Sequence, residues 1–261
     1  SKHIGEKAAS ELYFRFIQAY SISVARLDPD VFDHIIDANG SSVTAALAAY
    51  KDELGENFPQ SIEIQLSEVL RSMARAWEGT SARLLREAKG APADAGLGLV
   101  IQKMAFGVGD GESGSGVLQL VNSDTGKSQI TGRYLRQSQG RESLSDKRGA
   151  LFLTRDTRGT SLEKEEPVIF KDLIKKAKLM RKKLREEMEI EFTIENGKLH
   201  ILDGIRVVRR PRAAVSIAVG LAKDKIISKE EALIRVDSRA VGELLHRQID
   251  PNTERDILAK G

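Results

Sequence analysis

The sequence predicts an α+β protein in which helices come first, strands follow, and helices return near the carboxyl end. Three observations support this class: apolar residues recur at spacings of three and four up to residue 86, glycine-separated aliphatic runs follow from residue 90, and residues 189–202 alternate between polar and apolar around an Asn-Gly pair. Separate blocks of helix and strand are typical of α+β folds. We therefore divide the chain into a helical subdomain (residues 1–58), an α+β subdomain (59–205) and a helical linker segment (206–261).

The first 86 residues carry the spacing of amphipathic helices. Asp28-Pro29-Asp30 ends one helix and starts the next, and a loop is expected at residues 39–42. A second apolar stripe runs over residues 62–86 and is interrupted near Gly79. We expect three helices up to residue 54 and a longer, broken one after residue 62.

Short strands joined by glycine are predicted in the middle of the chain. Aliphatic residues dominate residues 97–106, and further strands are expected at 117–121, 129–135 and 151–154. The glycine-rich stretch 107–116 could cradle an anion with its backbone amides. It fits neither common phosphate-loop spacing, and no lysine follows its last glycine, so a plain connection between strands is the other interpretation.

A basic amphipathic helix is expected at residues 170–188. Its apolar face is continuous, and lysines and arginines cover the rest. Such a helix could track a nucleic-acid backbone. Because no aromatic residues are interleaved for base stacking, a solvated face is the other interpretation. Two more helices are expected at 213–222 and 228–236, the second with a capping box at Ser228.

Residues 189–202 predict a β-hairpin with an acidic face. Alternation places Glu189 and Glu191 on one side of the first strand and Ile190 and Phe192 on the other, and the Asn-Gly pair favours a two-residue turn. Asp203 follows the return strand and could lie opposite Glu191. Two converging carboxylates suit a hard divalent cation that holds phosphates, although a solvated hairpin could carry the same acids.

Composition narrows the class of protein further. With 261 residues, a formal net charge of +3 and no cysteine, the chain can bury a sizeable core and has no disulfide, thiolate metal site or cysteine nucleophile. The net charge alone does not indicate a nucleic-acid partner. No apolar run approaches the ~20 residues that span a bilayer, so we expect a cytoplasmic protein without a membrane partner.

Residues 189–205 resemble a segment of the pyruvate phosphate dikinase family that reads D-I-E-F-T-I-E-x-G-K-L-x-x-L-Q-T-R. Six further blocks resemble the family in the family's order and extend the likeness over nearly the whole chain: residues 11–28, 56–66, 100–107, 114–117, 132–140 and 226–246. The resemblance implies an ATP-grasp-like nucleotide-binding domain with an amino-terminal helical subdomain and a carboxyl-terminal helical segment. It also implies ATP and Mg²⁺ as cofactors.

The same resemblance assigns roles to individual residues. Glu191 matches the family's catalytic glutamate, and we expect it to share Mg²⁺ with Asp203, which stands where the family has a glutamine. The family strand that matches residues 100–104 lines the nucleotide pocket. We therefore expect Gln102 and Met104 to contact adenine, and we also assign Glu189 and Arg133 to the nucleotide-binding site.

Several departures from the family pattern weaken the expected site. Two family arginines are replaced, one by Val121 and one by Ile205, and Arg133 occupies the position of a glutamate. The last change reverses a charge that we expect near the metal, where unit charges ~4 Å apart interact by several kcal/mol. Weaker binding of ATP and Mg²⁺ is the expected result, unless Arg133 compensates for Val121.

Parts of the family's machinery fall outside the sequence. The family's glycine-rich phosphate loop and lysine lie upstream of the block that matches residue 11, and its phosphohistidine domain lies downstream. We therefore expect a fragment or short homologue of a dikinase-like phosphotransferase that is catalytically incompetent alone. Its partners would be a nucleotide and the phosphohistidine and phosphoenolpyruvate/pyruvate domains of a longer chain. A degenerate binding or regulatory module and a nucleic-acid-binding protein are the alternatives.

Overall fold

The computed structural model describes residues 4–39, 42–92, 94–140, 149–238 and 241–242, without the side chains of residues 34 and 36–39. The chain divides into two compact units, residues 1–104 and 105–261. The end of the predicted segment 206–261 lies outside the described residues. None of the helices in the described ranges is long and apolar enough to cross a bilayer.

The first unit is helical, as the apolar spacing predicts. Its helices are α1 (Glu6–Ser23), α2 (Asp30–Asn39), α3 (Val43–Leu54), α4 (Ile62–Glu78) and α5 (Thr80–Ala88), and the expected break near Gly79 separates the last two. Phe58 is 3% exposed and packs edge-on against the rings of Tyr20 and Tyr50, each with ring centres 5.1 Å away. These aromatic contacts fill the core between α1 and α3.

The strand expected at residues 97–106 is not formed. These residues adopt no regular secondary structure, and Val100 and Ile101 are 86% and 69% exposed. An aliphatic run becomes a strand only where a neighbouring strand takes up its backbone hydrogen bonds, and none in the described part of the chain does so. The prediction of a strand here was therefore wrong.

The second unit is built on one antiparallel sheet. Its strands are β1 (Gly114–Val121), β2 (Ser128–Arg136), β3 (Leu151–Phe152), β4 (Met188–Glu195) and β5 (Lys198–Arg206), in the order β3-β2-β1-β4-β5. The predicted hairpin is confirmed as β4 and β5. Its turn residues Asn196 and Gly197 both have positive φ, +47° and +76°, which fits a type I′ turn.

One face of this sheet is covered by α7 (Pro167–Leu184), which follows the short α6 (Leu162–Glu165). Ile190, Phe192 and Ile194 of β4 are at most 1% exposed and pack with Leu173 and Ala177 of α7. The predicted helix was too long at its end. Arg185 adopts a left-handed conformation with φ +57° and ends α7, and Met188 already belongs to β4.

Two further helices, α8 (Pro211–Lys223) and α9 (Lys229–Ile234), pack together at the end of β1. One half of the predicted capping box is present, because Ser228 Oγ accepts a hydrogen bond of 3.1 Å from the Glu231 amide, whereas the Glu231 carboxylate pairs with Arg185 and Arg235. Val121 is 4% exposed and belongs to the core that these helices form. The carboxyl-terminal helices thereby become part of the second unit.

Candidate functional site

The sheet face opposite α7 carries the predicted metal ligands. Backbone pairing aligns Arg133 of β2 with Val117 of β1, Val117 with Glu191 of β4, and Glu191 with Asp203 of β5. Directly paired residues of antiparallel strands project to the same face. We call these four residues the site row. The adjacent residues Ile190 and Phe192 point to the other face and are buried there.

Glu191 and Asp203 are immediate neighbours in the site row. Cβ atoms of paired residues on neighbouring strands lie about 5 Å apart, so both carboxylates can reach one ion. Glu191 is half-buried and Asp203 is exposed. One Asp203 oxygen, Oδ1, accepts a hydrogen bond of 2.7 Å from the Gly204 amide, which leaves Oδ2 for another ligand. A register shift follows directly after Glu191 and separates this pair from the rest of the hairpin.

This carboxylate pair suits Mg²⁺, which keeps water or phosphate ligands, better than a cation whose ligands all come from the protein. In the described part of the chain no group of three or more His, Cys, Asp or Glu side chains could hold a metal ion. Mg²⁺ is bound in proteins by one or two carboxylates, with water and substrate phosphates as the remaining ligands. The pair can therefore hold Mg²⁺ only together with such external oxygen ligands.

Glu189 lies on the same face as Glu191, two residues earlier in β4. It faces Gln119 of β1, whose side-chain amide donates a hydrogen bond to Glu189 Oε2. This hydrogen bond links the two side chains across the neighbouring strands β1 and β4. Sequence reasoning missed Gln119, because its neighbour in space is 70 residues away.

Arg133 lies farther from the carboxylates than the sequence led us to expect. Two strand spacings, about 10 Å, separate its backbone from that of Glu191. Its guanidinium carbon sits 3.9 Å from the ring centre of Phe152 on β3, the strand on the far side. Hydrogen bonds from Arg158 and, to a smaller extent, the charge of Arg133 lower the pKa of the nearby Asp156 carboxyl to about 2. Because of this separation, Arg133 would affect a bound metal ion less than a cation 4 Å from the ion would.

Gln102 and Met104, the predicted adenine contacts, belong to the first unit, whereas the site row belongs to the second. Both lie in the exposed, irregular segment at the end of the first unit, and Met104 is 49% exposed. Their contact with adenine stays a prediction.

The glycine-rich loop is held by side chains that follow β2. The Gly107 amide donates to Gln139 Oε1 at 2.7 Å, and the Gly109 amide donates to Gln137 Oε1 at 3.1 Å. The side-chain amides of both glutamines also donate to backbone carbonyls, Gln139 to that of Ala105 and Gln137 to that of Gly109. These two amides are therefore occupied and do not form an open anion cradle.

The sheet face that carries the site row is covered at one end, next to Ser115 and Thr193. Ser115 Oγ donates to the Ser138 carbonyl at 2.8 Å, and Ser115 and Thr193 are at most 1% exposed. Alternation correctly places Thr193 on the acidic face, but it does not reveal this cover. The open part of the face therefore begins at the site row.

The sequence is similar to a group of curated proteins, although no protein-family model matches the chain. Curated proteins named pyruvate, phosphate dikinase match it at 33% identity in Rhizobium meliloti (strain 1021), 32% in Clostridium symbiosum and 28% in Giardia intestinalis. The three alignments cover 97%, 93% and 97% of this chain but only 31%, 29% and 30% of the relatives. The chain is therefore homologous to one part of pyruvate phosphate dikinase and spans about three tenths of the length of the curated relatives it matches.

Proposed function

We propose that this chain is part of the nucleotide-binding domain of an ATP-dependent phosphotransferase related to pyruvate phosphate dikinase. The observation that carries the proposal is the direct pairing of Glu191 with Asp203 on the open face of the sheet. Homology to the dikinases over nearly the whole chain supports it.

In this proposal Glu191 and Asp203 would hold Mg²⁺ together with the phosphates of ATP. The ion would neutralise charge on the transferring phosphoryl group, which is the main electrostatic requirement of this chemistry. Glu189 would hold Gln119 in place beside the ion through their hydrogen bond. Gln102 and Met104 would border the adenine ring, as the resemblance implies.

We further propose that the chain does not catalyse phosphoryl transfer alone. Val121, which replaces a family arginine, is buried among α8 and α9, and the Arg133 guanidinium is directed toward Phe152. Ile205, which replaces the second arginine, is an apolar side chain that is 42% exposed. The changes at Val121 and Ile205 each remove a cation that would otherwise grip the triphosphate, and the added cation of Arg133 is directed elsewhere.

Titration of the purified chain with Mg²⁺-ATP by calorimetry tests this proposal. We expect weak binding that Glu191→Ala abolishes. Glu195→Ala is the matched control, because Glu195 lies on the same strand and face but pairs with Lys198 outside the site row. Binding that survives Glu191→Ala would show that the site is placed wrongly. Phosphoryl transfer by the chain alone would refute its catalytic incompetence.

Two alternative functions give different results in the same set of experiments. A degenerate binding or regulatory module that has lost its nucleotide would show no heat with Mg²⁺-ATP up to millimolar concentrations. A nucleic-acid-binding protein would shift duplex DNA with a steep dependence on salt. In the basic helix α7, Lys176 and Arg181 are already paired with Asp172 and Glu187, which reduces the charge that this helix offers to a nucleic-acid backbone.

A further inference from the structure

A second recess lies in the same unit, on the opposite side of the sheet from the site row. It is a cleft of about 950 Å³ between α7, α8 and the turn that joins β1 to β2. Leu120 and Ile130, which line it, alternate with the site-row positions and so face away from Glu191. The cleft is therefore separate from the candidate metal site.

The cleft combines an apolar floor with a basic rim. Leu120, Ile130, Ile174 and Ile217 line its inner part. Cationic lining side chains outnumber acidic ones by five to two; the cations are Lys178, Arg181, Lys182, Arg185 and Lys225, and the acids are Glu187 and Asp224. Such a surface is complementary to a molecule with an apolar body and an anionic head.

Only some of these cationic side chains form ion pairs with acidic side chains of the described residues. Arg181 lies 2.5 Å from Glu187 and 2.8 Å from Asp224, and Arg185 pairs with Glu231. For Lys178, Lys182 and Lys225 no ion pair is found among the described residues. Lys178 and Lys182 are one helical turn apart, where like charges repel each other. A bound anion would relieve this repulsion.

A buried acid with an unused oxygen also lines the cleft. Glu187 is 2% exposed; its Oε1 accepts from Arg181 Nε, and its Oε2 has no hydrogen-bond partner within the described residues. Burial raises the pKa of this carboxyl even though Arg181 is adjacent. In its protonated form Oε2 can donate a hydrogen bond to an anionic oxygen.

We propose that this cleft is a binding site for a small organic phosphate that carries an apolar body. The body would lie on the floor formed by Leu120 and Ile130, and the phosphate would contact Lys178, Lys182 and Lys225. The site is independent of the proposed nucleotide site, because the two occupy opposite faces of the sheet.

The probe for this site is 1-naphthyl phosphate, titrated into the full chain and followed by its fluorescence. We expect it to bind more tightly than 1-naphthol, which lacks the charge, and inorganic phosphate, which lacks the body. The double variant Lys178→Gln/Lys182→Gln should weaken binding by about 3- to 10-fold, as expected for two solvent-facing ionic contacts. Lys175→Gln/Lys183→Gln, on the same helix outside the cleft, is the matched control and should bind normally.

A second pair of variants tests the cleft by filling it. Gly220 of α8 lines the cleft, and a Cβ added there meets no atom within 4 Å. Gly220→Phe should therefore place its ring in the cleft and abolish binding, whereas Gly220→Ala should preserve it. Equal binding by Gly220→Phe and the natural chain, equal losses in the two lysine pairs, or failure of the natural chain to bind the probe would each overturn the proposal. Loss of binding in Glu191→Ala would overturn it too, since the probe would then occupy the site row.

Discussion

Reversing the charge of Arg133 should strengthen metal binding at the site row. Arg133 is about 10 Å or more from an ion held by Glu191 and Asp203, since two strand spacings intervene. At that distance, and at an effective dielectric constant of roughly 40 to 80, two unit charges interact by about 0.4 to 0.8 kcal/mol. The divalent ion doubles this energy, and the change from +1 to −1 doubles it again. Arg133→Glu should therefore improve the binding free energy by about 2 to 3 kcal/mol at low salt and by about 0.5 to 1 kcal/mol at 0.15 M salt.

The assay uses Mn²⁺ as the ion and follows the loss of its free-ion electron paramagnetic resonance signal at both salt concentrations. Arg133→Gln removes the charge without reversing it and should give about half of the effect on free energy. The coulombic reasoning fails if the Glu and Gln variants have equal affinities, or if the gain is the same at low and at high salt. It also fails if Arg133→Glu weakens binding, because that would make Arg133 part of the site.

Three further predictions concern stability. Gly132→Ala should cost about 2 to 4 kcal/mol in urea unfolding, because φ is +133° there and a Cβ would lie 2.0 Å from the Val117 carbonyl oxygen; a cost below 1 kcal/mol would contradict this close approach. Phe192→Ala should cost about 3 to 5 kcal/mol, since the ring is fully buried, and Phe192→Leu clearly less, with equal costs arguing against a tightly packed core. Burial tends to raise the pKa of Glu186, but hydrogen bonds from Arg209 hold that pKa below its ordinary value of about 4.5. The stability of the protein should therefore fall as the pH drops below about 4.5 and through the lowered pKa. Glu186→Gln should flatten this acid limb of the stability profile, and an unchanged limb would contradict the assignment.

Features set by neighbouring residues could be predicted from the sequence. The hairpin of β4 and β5 depends on alternation and on two turn residues that accept positive φ, and both signals are local. The same holds for the helices of the first unit and for the Ser228 cap. A regular hairpin with this turn would pair Glu191 with Leu202, so the pairing of Glu191 with Asp203 depends on the register shift after Glu191, which could not be predicted.

Features set by long-range pairing could not be predicted in this way. The central position of β1 is what places Arg133 two strands from Glu191, and nothing near Arg133 in the sequence encodes that distance. The irregular state of residues 97–106 has the same origin, because a strand needs a partner that local propensity does not supply. Gln137 and Gln139 bind glycine amides some 30 residues away and carry no motif that marks this role.

A double-mutant cycle on Glu191 and Asp203 tests the central claim most directly, namely that the two carboxylates hold one divalent ion. Glu191→Gln, Asp203→Asn and the double variant would each be titrated with Mg²⁺-ATP by calorimetry. If both side chains bind the same ion, the losses should not add, and the double variant should bind little worse than either single one. Strictly additive losses, or a loss in only one of the single variants, would contradict a shared ion.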